Sequence, residues 1–170
     1  MKKVNIEKIF GLELRELMRL LRSSGKECYI VGGAVRDLLL GFEKIIDIDL
    51  TTSLSIEQIK QMFDKNKIRF DDRAFKYGCL TVYNKKKRNI QVTSFRKDIR
   101  TFGRAADIEF VENIEEDAKR RDFNINAFYC SYDGQIIDPL GNLEDLNKLR
   151  LDFIGAVSYT HLTLPTICSV

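Results

Sequence analysis

The tightest constraint on this chain is the run Val31-Gly32-Gly33-Ala34-Val35-Arg36-Asp37, followed after a short interval by Asp47-Ile48-Asp49. The segment ahead of the glycines, Glu27-Cys28-Tyr29-Ile30-Val31, reads as a short buried strand, and 34–40 is rich in helix formers and stops at Gly41. A strand, a Gly-Gly turn and a helix place backbone N–H groups and a positive helix end where an anion can dock. In Ile46-Asp47-Ile48-Asp49-Leu50 the alternation puts both aspartates on one face and the apolar residues on the other. Carboxylates side by side repel, so an exposed Asp-x-Asp is unfavourable unless a cation neutralises it. Either half alone favours a bland turn or an acidic strand end. Together, in order and in context, they favour a phosphate and a metal ion.

A chain of 170 residues can bury one substantial core and at most a second small lobe. With 44% hydrophobic and 31% charged residues it has the composition of an ordinary soluble protein. A formal net charge of +3 does not by itself imply nucleic acid. Two local basic clusters stand out, Lys85-Lys86-Lys87-Arg88 and Lys119-Arg120-Arg121, and a solvated hairpin tip explains the first as well as an RNA contact does. Cys28, Cys79, Cys130 and Cys168 are far apart, and the first three sit in apolar segments. Buried reduced thiols and a reducing, cytoplasmic setting are therefore expected. The lone histidine, His161, leaves a zinc site without support. Residues 1–7 are too polar for a signal peptide, and no apolar run has membrane-spanning length, so no membrane partner is expected.

The spacing of Ile6, Ile9, Phe10, Leu14, Leu17, Met18 and Leu21 predicts a helix over 6–22. Ser55-Ile56-Glu57-Gln58 has the form of a capping box opening a helix to about Phe63. Strands are predicted over 77–83 and 89–95, a loop over 96–107, and a helix over 114–130 that groups Asp117, Arg120, Arg121 and Asn124 on one face. A short strand over 135–137 and a last polar helix over 142–149 follow.

A carboxylate pair near a phosphate-binding turn suits Mg²⁺ acting on a nucleoside triphosphate, because Mg²⁺ takes one or two carboxylates plus phosphate oxygens and waters. Two such ions activate an attacking hydroxyl and stabilise the leaving pyrophosphate. A third carboxylate on a neighbouring strand commonly completes such a cage. No Ser-His or Cys-His arrangement exists in the body of the chain, and no glycine-lysine phosphate loop is present.

The run from Gly32 to Gly41 with Asp47-Ile48-Asp49 resembles the signature of class II tRNA nucleotidyltransferases and bacterial poly(A) polymerases. Val92-Thr93-Ser94-Phe95-Arg96 resembles that family's second catalytic strand. Asp117-Ala118-Lys119-Arg120-Arg121-Asp122-Phe123-Asn124-Ile125-Asn126-Ala127 resembles its ribose-and-phosphate motif, and Asp138-Pro139-Leu140-Gly141 with Asp145-Leu146 the end of its head domain. The resemblance runs in order over about 20–156. It implies an α+β fold, the polymerase-beta-like nucleotidyltransferase head, with a small mixed sheet backed by helices.

The resemblance also implies roles. Asp47 and Asp49 would be catalytic and hold Mg²⁺. Gly32, Gly33 and Arg36 would contact the triphosphate of CTP or ATP. Arg121 would touch the nucleotide, with Asp122 and Asn126 orienting the ribose or bracing their helix. Hydrogen bonding along the helix face is the plainer role for Asp122 and Asn126, as a salt bridge is for Arg36 and Asp37. The reaction would transfer CMP or AMP to the 3′ hydroxyl of tRNA, as in a CCA-adding enzyme. A poly(A) polymerase shares these motifs, and a nucleotide- or RNA-binding module without catalysis is the reading from another class.

Two departures stand out. Where the family carries an acid before the second catalytic strand, this chain has Gln91, whose carboxamide offers Mg²⁺ an oxygen but no charge, and accepts no proton. Slowed catalysis is the expectation. After Ala156 the family continues into an arginine-rich neck that selects the base, whereas 157–170 contains no Asp, Glu, Lys or Arg. The expectation is a head domain over 1–156 and a disordered, non-family tail over 157–170.

Overall fold

A computed structural model describes residues 3–6, 10–42, 45, 47–83, 89–102 and 105–154. The sequence expectations for 85–88 and 157–170 concern residues outside that set.

The chain is built on a seven-stranded mixed sheet. Helix α1 (Leu12–Arg22) precedes β1 (Cys28–Val31), α2 (Gly33–Leu39), β2 (Ile48–Thr52) and α3 (Ile56–Lys65). Then come β3 (Phe70–Asp71), a 3-10 turn (Phe75–Tyr77), β4 (Cys79–Tyr83) and β5 (Asn89–Ser94). The remainder comprises β6 (Arg96–Phe102), β7 (Ala105–Phe110), α4 (Ile114–Lys119), a second 3-10 turn (Asn124–Asn126), β8 (Tyr129–Ser131), β9 (Ile136–Ile137) and α5 (Leu143–Asn147). The sheet order is β3-β4-β5-β2-β1-β8-β9. Strands β2 and β5 run parallel, which the intervening α3–β4 excursion permits, and the other pairs are antiparallel. This is the expected α+β head, a mixed sheet backed by helices.

Alternation along the central strands divides the sheet into two faces. Ile30, Ile48, Leu50, Ile90 and Val92 join the main core with Leu14, Met18 and Leu21 of α1 and Ile56, Ile59 and Phe63 of α3. Ser55 caps α3 as its sequence predicts: its hydroxyl accepts from the Gln58 N–H, and the Gln58 side chain accepts from the Ser55 N–H. The opposite face carries Val31, Asp49 and Gln91, and a smaller cluster of Val31, Ala118, Ala127 and Tyr129 covers one side of it. Cys28, Cys79 and Cys130 are buried and unbridged, as expected, and burial pushes the Cys28 thiol up to about 12. No helix among the described residues is long and apolar enough to cross a membrane.

Two expectations are corrected. The stretch 96–107 is not a loop: β6 and β7 form an antiparallel ribbon from Arg96↔Phe110 to Phe102↔Ala105. The ribbon is a separate two-stranded sheet with a Lys97–Glu109 cross-strand ion pair, and Ile99 and Phe110 are exposed on it. Its charged and polar run, Arg96-Lys97-Asp98-Ile99-Arg100-Thr101, lacks the period-2 alternation that marks a half-buried strand. Phe110 anchors it over Gly78, where a Cβ would stand 2.7 Å from the ring and φ is +70°.

The predicted helix over 114–130 ends instead at Lys119. Phe123 turns extended, bridges to Phe153 and stacks its ring 4.7 Å from it. Asn124 is drawn away by tertiary partners: its N–H donates to the Asp152 carbonyl and its amide to Asp145 and the Arg150 carbonyl. These bonds outcompete helix propagation. Asn124 thus parts from Asp117, Arg120 and Arg121.

Candidate active site

The site forms where β1 ends and the strands beside it present their polar face. Val31 pairs with Asp49 across β1–β2, and Asp49 pairs with Gln91 across β2–β5. The parallel register therefore sets Gln91 beside Asp49, where the resemblance expected a third ligand. Asp47 lies just ahead of β2 and is exposed, while Asp49 is half-buried.

Gly32 follows β1 with φ 76° and ψ −143°, a conformation close to glycine's own. A Cβ there would stand 3.6 Å from Asp49 Oδ2 and 3.7 Å from Arg121 Nη1, so the turn brings main chain, carboxylate and guanidinium to one place. Arg36 of α2 lies across Gly33, with Nη2 3.5 Å from where a Cβ would be.

Two clefts meet at Asp49. One, of about 310 Å³, is lined by Gly33, Arg36, Asp37, Asp47 and Asp49. The other, of about 190 Å³, is lined by Asp49, Thr51, Gln91, Thr93 and three arginines, Arg96, Arg120 and Arg121. The Thr51 hydroxyl is buried and finds no hydrogen-bond partner among the described residues.

Electrostatics match this geometry. Burial raises the Asp49 carboxyl above the usual carboxylate range; Arg121 opposes the rise and Asp47 adds to it. A cation between Asp47 and Asp49 would relieve that repulsion. The donor set of two carboxylates, with the Gln91 carboxamide alongside, fits a hard ion that shares its coordination with phosphate oxygens and water. Among the described residues no group of three or more His, Cys, Asp and Glu side chains gathers to hold a metal by itself.

The sequence-predicted residues divide in the structure. Asp47, Asp49, Gly33, Arg36, Arg121 and Gln91 line the two clefts, and Gly32 abuts them. Arg36 keeps the salt bridge to Asp37, at 2.7 Å, and also donates to Asn126 Oδ1 at 2.9 Å. Asn126, on the second 3-10 turn, thus braces Arg36 of α2. Asp122 is exposed, and its main-chain carbonyl accepts from the Ile154 N–H. Sequence reasoning passed over Arg96 and Arg120 as site residues, along with Thr51 and Thr93. Arg120 carried a readable signal in its i,i+3 spacing from Asp117; Thr51 carried none beyond its parity with Asp49.

Comparison with known proteins agrees with this arrangement. Residues 28–152 match the family described as the poly A polymerase head domain. The chain is 37% identical over 150 residues to the mitochondrial CCA tRNA nucleotidyltransferase 1 of Homo sapiens, covering 88% of this chain and 34% of that protein. It is 39% identical over 157 residues to the CCA-adding enzyme of Lactobacillus gasseri, covering 91% of this chain and 38% of that one. The crystal structure of the Bacillus stearothermophilus CCA-adding enzyme in complex with CTP superposes with a TM-score of 0.72 at 36% identity, over 84% of this chain and 33% of that one. The chain thus spans roughly a third of the length of these relatives.

Proposed function

The chain belongs to the poly A polymerase head-domain family, and from that premise we propose that it is the catalytic head of a CCA-adding tRNA nucleotidyltransferase. The reaction joins the 3′ oxygen of tRNA to the α-phosphorus of CTP or ATP. The bond to the bridging oxygen breaks, pyrophosphate leaves and the hydroxyl proton is released. The observation that carries this reading is the convergence on Asp49 of a Gly-Gly turn, a second aspartate and a cleft lined by three arginines.

In this proposal Asp47 and Asp49 would hold Mg²⁺, which when bound would supply charge neutralisation of the triphosphate and activation of the attacking hydroxyl. Gly32, Gly33 and Arg36 meet the triphosphate from one side of Asp49, and Arg120 and Arg121 bring positive charge from the other. Asn126 orients Arg36 through its hydrogen bond. Gln91 offers an uncharged oxygen beside Asp49 and takes no proton, so this chain is slower than one with a carboxylate at that position. The buried free thiols suit a reducing compartment such as the cytoplasm.

The family description itself favours a second reading, a poly(A) polymerase head. The test is incubation with Mg²⁺, labelled CTP or ATP, and either tRNA ending before CCA or an unstructured RNA primer, beside an Asp47→Ala, Asp49→Ala double variant. Addition to tRNA that vanishes in the variant supports the proposal. Extension of the unstructured primer by AMP alone supports the second reading. Nucleotide binding without addition to either RNA marks a binding module and overturns the catalytic reading.

A further inference from the structure

Among the described residues Asp117 is the one acidic side chain that is buried, at 0% exposure. Its Oδ1 accepts from Arg120 Nε at 2.8 Å, and its Oδ2 from Arg121 Nη2 at 3.0 Å and from the Tyr129 hydroxyl at 2.8 Å. The Arg96 N–H approaches Oδ1 at 3.4 Å, which ties the start of β6 to the same carboxylate. The Tyr129 oxygen in turn accepts from Arg121 Nε at 3.1 Å, closing a ring of carboxylate, guanidinium and phenol. Arg120 and Arg121 remain only 14% and 13% exposed, so neither pair is a solvated surface contact.

Stability alone does not account for such a cluster. A buried ion pair seldom outperforms apolar side chains of the same volume, because desolvation consumes most of the attraction. What an apolar cluster cannot provide is a fixed guanidinium. Asp117 engages Nη2 of Arg121 and Tyr129 engages Nε, which leaves Nη1 as the edge beside Gly32, 3.7 Å from where a Cβ would stand. One carboxylate also balances two adjacent arginines that would otherwise repel each other across the cleft wall.

We propose that Asp117 is the positioning residue of the nucleotide site, holding Arg120 and Arg121 in the orientation that meets the anionic nucleotide, with the Tyr129 hydroxyl setting which edge of Arg121 is presented. This rests on reading the cleft beside Asp49 as the nucleotide site. Asp117 itself touches no substrate and acts through the arginines.

The experiment measures CTP and ATP affinity in Mg²⁺, together with the urea unfolding midpoint, for the whole chain and for Arg121→Ala, Asp117→Asn, Tyr129→Phe and Tyr129→Phe/Arg121→Ala. Arg121→Ala and Asp117→Asn are each expected to weaken nucleotide binding about tenfold, the loss of a charge-assisted hydrogen bond. Tyr129→Phe is expected to weaken it about threefold with little change in the unfolding midpoint. The double variant should bind no more weakly than Arg121→Ala alone, since the phenol acts through that guanidinium. Unchanged affinity in Arg121→Ala refutes the site reading itself. Weakening in Arg121→Ala without weakening in Tyr129→Phe, or additive losses in the double variant, overturns the positioning role while leaving the site reading intact. Should Asp117→Asn fail to fold, the Tyr129 cycle decides alone.

Discussion

The two faces of the central sheet are made by alternate residues of the same strands, yet they answer to different physics. On β2, Ile48 and Leu50 enter a core closed by α1 and α3, while Asp49 and Thr51 face a polar cleft. On β5, Ile90 and Val92 do the first job and Gln91 and Thr93 the second. The apolar face gains from burial and tolerates only close packing. The polar face gathers a half-buried carboxylate and a buried hydroxyl with no partner among the described residues, both costly to the fold unless a ligand uses them, beside three arginines. One strand thus serves stability and chemistry at a separation of one residue.

The sharpest way to break this comparison is Leu50→Ala. Leu50 is fully buried, and its truncation should cost about 2–5 kcal/mol in urea unfolding, through lost contacts and a cavity. A loss as small as that of a surface substitution would remove the distinction between the faces. Gly32→Ala should come next, at about 1–3 kcal/mol from backbone strain alone. The added Cβ meets its neighbours at ordinary contact distance, so an unaltered melting temperature would mean that the turn relaxes freely.

Acid titration sharpens the comparison from the polar side. Burial would raise the Asp117 carboxyl, but Arg120 and Arg121, with the Tyr129 hydroxyl, prevail and hold it below the usual carboxylate range. A depressed folded value means that this stabilisation is complete above the unfolded value and lost as pH falls through the folded one. The stability gap between the parent and Asp117→Asn should therefore narrow as pH drops below about 4. A gap that widens there contradicts the assignment. Gln91→Glu should leave unfolding nearly unchanged and raise nucleotide addition about a hundredfold, the low end of what a positioned base contributes. No gain would show that Gln91 is not the weakened member of the site.

The sequence made the apolar face readable because its signals are local. The helical stripe that includes Leu14, Leu17, Met18 and Leu21, the Ser55–Gln58 box and the alternation around Asp49 each specify their element without distant help. The site was readable only where chemistry was written into spacing, as in Gly32-Gly33 and Asp47-Ile48-Asp49. The register that puts Gln91 beside Asp49 depends on a parallel crossover and has no local signature. The ribbon of β6 and β7 escaped because its sequence carries no apolar alternation, and the break after Lys119 because Asn124 follows partners at Asp145, Arg150 and Asp152. The ring of Asp117, Arg121 and Tyr129 joins a helix to a strand across such a break, and sequence spacing foretold only its arginine half.

The most direct test of the division between faces is Asp49→Asn, with Mg²⁺-dependent CTP binding and urea unfolding read on the same sample. The account predicts that binding collapses while unfolding free energy stays within about 1 kcal/mol of the parent or rises, since a half-buried charge has been removed. Retained Mg²⁺-dependent binding, or a destabilisation as large as that of Leu50→Ala, would contradict it.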